Sequence, residues 1–251
     1  MFIDQDTTMR IRIINANTSA AMTDKMGVAA LNAARPGTEI IAVNPASGPI
    51  TIESHFDETI AAVGVCEEIR AGEAAGTDAY VIACFGDPGL YAARELTNAP
   101  VIGIAEAAFH VASLIATRFS VVTTLSRTSI MAERLLHEYG MGNRCRKVRA
   151  AEIPVLALEH EADASYRLIE AECIRARDED QIGAIVLGCG GMADLATRLS
   201  ASIGLPVVEG VAAAVALAES LVTLKLQTSK FGDLAAPPAK PFTGEFARYS
   251  R

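Results

Sequence analysis

Short apolar runs alternate with longer stretches in which apolar residues recur every three or four positions, and the alternation continues along most of the chain. The runs predict strands over Arg10–Asn15, Glu39–Val43, Ala79–Ala83, Pro100–Ile104 and Phe119–Thr123. The periodic stretches predict helices over Met22–Ala34, Thr59–Ala74, Leu90–Leu96 and Ala105–Ala116. Strand-helix alternation of this kind builds a parallel sheet with helices on its faces.

The pattern also repeats. AYVIACFGDPGLYAARELTNAPVIGIAEAA (Ala79–Ala108) matches AIVLGCGGMADLATRLSASIGLPVVEGVAAA (Ala184–Ala214) element by element. Each copy has an apolar strand ending in small residues and Cys, then a Gly-containing turn, a helix, a Pro, a short strand and an Ala-rich helix. Upstream, RIRIINANTSAAM and RFSVVTTLSRTSIM also correspond, each being a strand followed by a loop rich in Thr, Ser or Asn. The chain therefore reads as two similar α/β halves. Residues 1–100 plus 207–251 form one, with the last segment returning to it, and residues 101–206 form the other. The Pro- and Gly-rich tail from Thr228 is expected to be irregular, and the first eight residues to be loose.

Composition narrows the function. Hydrophobic residues make up 51% of the 251, so the chain can bury a real core; Trp is absent, so Ala, Val, Ile and Leu must fill it. A net charge of -8 argues against nucleic acid as a partner. The one basic stretch, Arg144–Arg149, reads as a solvated loop. The opening MFIDQDTTMR lacks the apolar run of a signal peptide. The most apolar segment, Val211–Leu224, is short for a membrane span and carries Glu219, so a buried helix fits it better. A cytoplasmic protein with no membrane partner is the expectation. Five cysteines without a CxxC pair read as free thiols, and the four histidines lack metal-site spacing.

Cys84 and Cys189 occupy the same place in the two copies, 105 positions apart. In open parallel sheets ligands bind beyond the carboxyl ends of the strands, where both cysteines lie. Two halves facing each other would set them on opposite sides of one cleft. Inverting a carbon stereocentre needs that arrangement: one group removes a proton from one face and another delivers a proton to the other. One thiol must then be ionised, and a helix N-terminus lowers a thiol's pKa. Asp87 can cap the helix after Cys84, with Pro88 in its first turn. Backbone N–H groups of Phe85, Gly86, Gly190 and Gly191 are candidates to bind an enolate oxygen. The plain alternative is that both cysteines fill space, as buried thiols often do. Cys66 and Cys173 fall in helical patterns and are read as structural.

At these motifs the sequence resembles the hydantoin and allantoin racemases of the aspartate/glutamate racemase superfamily. The likeness runs from IINANTSAAMT through GPITIESHFDE, VIACFGDPGL, PVIGIAEAA, FSVVTTLSRT and PVLALE to IVLGCGGMADL and PVVEG. The resemblance implies two pseudo-symmetric Rossmann-like domains with the active site between them. It also implies no cofactor, a homo-oligomer and a two-cysteine mechanism. By motif match it assigns catalysis to Cys84 and Cys189, and places Asn15, Ser19, Phe85, Gly86, Thr123, Thr124, Gly190 and Gly191 around the substrate. Two positions depart from the usual family pattern: Ala16 where Pro is common and Gly190 where Ala is common.

A 5-substituted hydantoin suits such a site, because its C5–H lies beside the C4 carbonyl and deprotonation gives a delocalised enolate. Asn15, Thr123 and Thr124 offer groups matching the ring N–H and C=O. An Asx-type turn and strand-end packing are their structural alternatives. The loop Pro45–Glu53 is a candidate cover for the C5 substituent, whereas His55 and Asp57 read as surface positions and Asp87 as a helix cap. Details around CFGDPGL, ESHFDE and TSKFGDLA look closer to allantoin racemase than to broad hydantoin racemases. An amino-acid racemase would want Lys or Arg on the cysteine loops, which carry none. A malonate-type decarboxylase would need one cysteine. A ligand-binding module of the same shape would need neither.

Overall fold

The computed structural model describes residues 8–250, so the expectation about the first eight residues falls almost wholly outside it. The first half runs β1 (Met9–Ile14), α1 (Ala20–Ala33), β2 (Thr38–Val43), α2 (His55–Ala74), β3 (Ala79–Ile82), α3 (Leu90–Leu96), β4 (Val101–Gly103) and α4 (Ile104–Ile115). The second runs β5 (Phe119–Thr123), α5 (Ser126–Glu138), β6 (Cys145–Ala150), α6 (Ala157–His160), α7 (Ala162–Glu179), β7 (Ala184–Leu187), α8 (Ala196–Ile203), β8 (Val207–Val208) and α9 (Gly210–Thr223). Two four-stranded sheets result, ordered β2-β1-β3-β4 and β6-β5-β7-β8, and every pairing is parallel. This is the α/β architecture of two Rossmann-like halves.

The repeat in sequence is a repeat in hydrogen bonding. Tyr80 N–H donates to Pro100 O and Ile185 N–H to Pro206 O, both at 2.9 Å. These pairings correct the boundaries drawn at residues 100 and 206. Val101–Gly103 belongs to the first sheet through β3, and Val207–Val208 to the second through β7. Each prolyl residue ends the preceding loop, and the strand after it joins its own half.

The helices that follow are exchanged. α4 leaves the first sheet and packs on β7 and β8, while α9 leaves the second and packs on β1, β3 and β4; the two helices also pack on each other. One apolar core therefore runs through both halves. At its centre Phe109 of α4 stacks on Phe119 of β5 (centroids 5.9 Å) and meets Phe85 edge-on (5.4 Å). Full burial of such a ring contributes about 1.5–3 kcal/mol.

Two local expectations change. Arg144–Arg149 is not a solvated loop but mostly the edge strand β6, and Arg149 is only 6% exposed. Its guanidinium donates to both carboxylate oxygens of Asp180 and to Glu172 and Glu179. A charge is buried there because it is paired. Helix α2 begins at His55, not Thr59, because Ser54 accepts from Asp57 N–H while Asp57 accepts from Glu53 N–H. This reciprocal capping starts a helix earlier than its apolar pattern does. Past α9 the described residues of the tail form short 3₁₀ turns and irregular chain.

Candidate active site

Cys84 and Cys189 leave their strands in the same way. Ala83 N–H donates to Ile14 O and Gly188 N–H to Val122 O, both 2.8 Å, so each sheet still pairs one residue before the cysteine. Each cysteine carbonyl then accepts from the N–H three residues on, Asp87 at 3.0 Å and Met192 at 3.1 Å. Inside these turns Gly86 N–H is directed at the Cys84 sulfur and Gly191 N–H at the Cys189 sulfur. The expectation that Gly86 and Gly191 serve an enolate oxygen is thus modified: both N–H groups face sulfur, where they favour thiolate.

The two turns meet at one small cavity of about 60 Å³, lined by both cysteines. Asn15, Phe85, Gly86, Thr123, Thr124, Gly190 and Gly191 also line it. Ser19 does not. Its hydroxyl accepts from Met22 N–H as the cap of α1 and donates to Glu159 at 2.8 Å, so capping has taken the group assigned to substrate. Asn15 lines the cavity, yet its side-chain amide is occupied by Asn17, Ser19 and Thr23. Its turn-building alternative is therefore real, and the loop is held by it. Thr123 similarly donates to Gly188 O at 3.0 Å.

Sequence reasoning missed Asn17, Thr128, Met131 and Val155, which also line the cavity, while Ile52 lines it from within the expected covering loop Pro45–Glu53. Asn17 sits in the same NANTS loop and had a visible signal. Val155 lies in the PVLALE segment and reaches the site from the loop between β6 and α6, a route that no spacing along the chain marks.

Residues 11–218 match the model of the Asp/Glu/hydantoin racemase family. The chain belongs to that family. It is 57% identical to an allantoin racemase from Klebsiella pneumoniae of known structure, covering 96% of this chain and 99% of that one, with a TM-score of 0.94. An allantoin racemase from Pseudomonas fluorescens is 40% identical over 94% of this chain and 100% of its own, with a TM-score of 0.91. A hydantoin racemase from Pseudomonas sp. (strain NS671) is 46% identical over 97% of this chain and 98% of its own. The protein is an isomerase of the racemase type.

In this racemase, burial pushes the Cys84 thiol up to about 12 and the Cys189 thiol up to about 11. The lowering expected from helix N-termini is outweighed, because desolvation disfavours the thiolate more than one N–H favours it. The helix expected to be capped by Asp87 also differs. α3 starts behind Gly89 with no side-chain cap, and Asp87 instead accepts from Ala105 and Glu106 N–H at the start of α4, and from Tyr139 hydroxyl at 2.9 Å. Burial pushes Asp87 up to about 7 against those donors.

Polar contacts ring the racemase cavity and join its halves. Glu53 accepts from Val155 N–H at 2.9 Å, which draws the Pro45–Glu53 loop and Ile52 over the site. Lys25 donates to Leu158 O at 3.2 Å and Gly191 O at 3.4 Å. Arg134 pairs with Glu58. His55 is exposed, as expected. Asp57 is partly buried by its capping role. Among the described residues no cluster of three His, Cys, Asp or Glu is placed to hold a metal, and no helix is long and apolar enough to cross a membrane.

Proposed function

We propose that the protein racemises a 5-substituted hydantoin, with allantoin as the preferred substrate, by proton transfer between Cys84 and Cys189. The observation that carries the reading is the pair of like-built cysteine turns on one small cavity. One thiolate removes the C5 proton, the ring holds the charge as an enolate, and the other thiol protonates the opposite face. Side chains and turn residues at Asn15, Asn17, Thr123, Thr124, Phe85, Gly86, Gly190 and Gly191 bind the ring. Gly86 and Gly191 N–H groups stabilise whichever sulfur is ionised. No Lys or Arg lines the cavity among the described residues, which disfavours an amino-acid α-carboxylate as the bound group.

The 57% identity to an allantoin racemase of known structure supports the ureido substituent. A second reading, a hydantoin with an apolar 5-alkyl group, is favoured by Ile52, Met131 and Val155 on the cavity wall. We further infer a cytoplasmic homo-oligomer. The free cysteines fit a reducing compartment, and exposed Leu114 and Ile115 at the end of α4 leave apolar surface for another copy. The test is optical. Enantiopure allantoin and a 5-alkylhydantoin are each incubated with the purified protein and circular dichroism is followed. Faster loss with allantoin than with the alkyl compound is expected, the reverse favours the second reading, and no acceleration of either overturns both.

A further inference from the structure

The two cysteine turns are alike in backbone and unlike in charge. Three residues after Cys84 stands Asp87; three after Cys189 stands Met192, fully buried. The cause lies in how the exchanged helices are capped. The start of α4 receives its carboxylate from Asp87, on the cysteine turn, and Gly103 makes room: a Cβ there would lie 2.2 Å from Asp87 Cγ. The start of α9 receives its carboxylate from Glu209, its own cap, which accepts from Val211 N–H at 2.8 Å and from Ala212 N–H. The same helical need is met in one half beside the cysteine and in the other away from it.

The opposite charge is also one-sided. Lys25 reaches across from α1 to the Cys189 turn, 3.4 Å from Gly191 O. From α5 the matching approach to Gly86 is made by Met131, whose Cε would lie 3.5 Å from a Cβ there. The charged groups facing Cys84 are Asp87 and Glu58, the latter paired with Arg134. Those facing Cys189 are Lys25, which also approaches Asp194 at 3.7 Å, and Glu53.

We propose that Cys189 is the first of the pair to ionise while Cys84 stays the thiol, with Lys25 and Asp87 as the positioning residues that break the symmetry of the pair. The assignment rests on the two-cysteine reading of the function. In the forward step the Cys189 thiolate takes the C5 proton and becomes a thiol. The Cys84 thiol gives its own proton to the opposite face and becomes a thiolate. Loss of one proton from Cys189 to solvent and gain of one by Cys84 restore the starting form. The free enzyme is thus ready for one enantiomer and must re-equilibrate for the other. The higher position of Cys84 relative to Cys189 has the same sense.

The experiment is alkylation of the full chain by limiting iodoacetamide near neutral pH, with the rates at Cys84 and Cys189 read by peptide mass spectrometry. Cys189 is expected to react first, by about tenfold for one unit of difference in acidity. Lys25→Met should raise the pH midpoint for Cys189 by roughly one and erase the preference, and Lys25→Arg should restore it. Asp87→Asn should speed Cys84; if that variant does not fold, the Lys25 pair decides alone. Equal or faster reaction at Cys84 in the unaltered protein, or a ratio untouched by Lys25→Met, overturns the assignment. Racemisation by Cys84→Ser and Cys189→Ser separates the two levels. If both variants still racemise, the two-cysteine reading fails; if both are inactive while Cys84 alkylates first, only the charge assignment fails.

Discussion

Gly190 lies against the carbonyl of Ala83: a methyl on its Cα would sit 2.7 Å from that oxygen and 2.8 Å from Met26 Cε. The residue after one cysteine thus touches the residue before the other, and this contact sets how closely the two turns approach. Gly190→Ala should force the turns apart, with a stability loss of about 1–3 kcal/mol from overpacking. The fall in kcat should exceed the rise in KM, because the sulfur spacing changes more than the binding groups. Thermal unfolding and steady-state kinetics check it; a variant matching the parent in both would show that the contact yields freely.

Cys84→Ser and Cys189→Ser should each lose racemisation by about 100-fold or more. Each should still exchange the C5 proton of one enantiomer with deuterium from solvent, and the two should favour opposite enantiomers. NMR of the C5 position in deuterated buffer reads this, and exchange of both enantiomers by one variant speaks against one cysteine per face.

Because burial raises both thiols, kcat/KM should climb toward alkaline pH as the reactive thiolate forms. Stability should move the other way. The unfolded chain ionises near the ordinary thiol value of 9.0, while folded Cys189 waits until about 11. Between those values the folded state binds more protons, so unfolding free energy falls as pH rises. Cys189→Ala should flatten that part of the alkaline decline in denaturant titrations.

The Glu53 clasp is expected to act on binding. Glu53→Ala removes the acceptor for Val155 N–H, a hydrogen bond to a charged group contributing about 1.5–3 kcal/mol before solvent exposure reduces it. KM should rise roughly tenfold with kcat little changed. Glu53→Gln, which still accepts, should stay near the parent; equal effects of both substitutions would point to charge instead of the clasp.

Arg149→Met tests the buried ion cluster, none of whose residues lines the cavity. Leaving Asp180 and Glu172 uncompensated should cost about 3–5 kcal/mol. Burial pushes Asp180 up, but hydrogen bonds from Arg149 and Ser120 outweigh it and hold the carboxyl below its ordinary 3.8. Its contribution is therefore present above that pH and lost as pH falls through the lowered value. The variant should lack that acid-limb loss; an unchanged acid limb in thermal melts would remove Arg149 as its source.

Much of this was legible in the chain. The 105-residue repeat, the strand endings at Cys84 and Cys189 and the Ala-rich helices after Pro100 and Pro206 follow from local periodicity and small residues at fixed places. What failed was local in appearance and tertiary in fact. Asp87 looked like the cap of the next helix and caps α4 instead. Ser19 looked like a substrate ligand and caps α1. Arg149 looked solvated and is buried. In each case a polar side chain had several possible partners, and sequence spacing ranks only the near ones.

The sequence by itself determined two matched α/β halves and a pair of equivalent cysteines, because strand and helix periods and a repeated motif are properties of neighbouring residues. Only the tertiary structure decided that α4 and α9 are exchanged between sheets, that Gly190 brings the two turns together, and that Asp87 and Lys25 stand at different cysteine turns. Those outcomes depend on which distant surfaces bury each other and on where desolvated charges find partners, and no spacing along the chain encodes them.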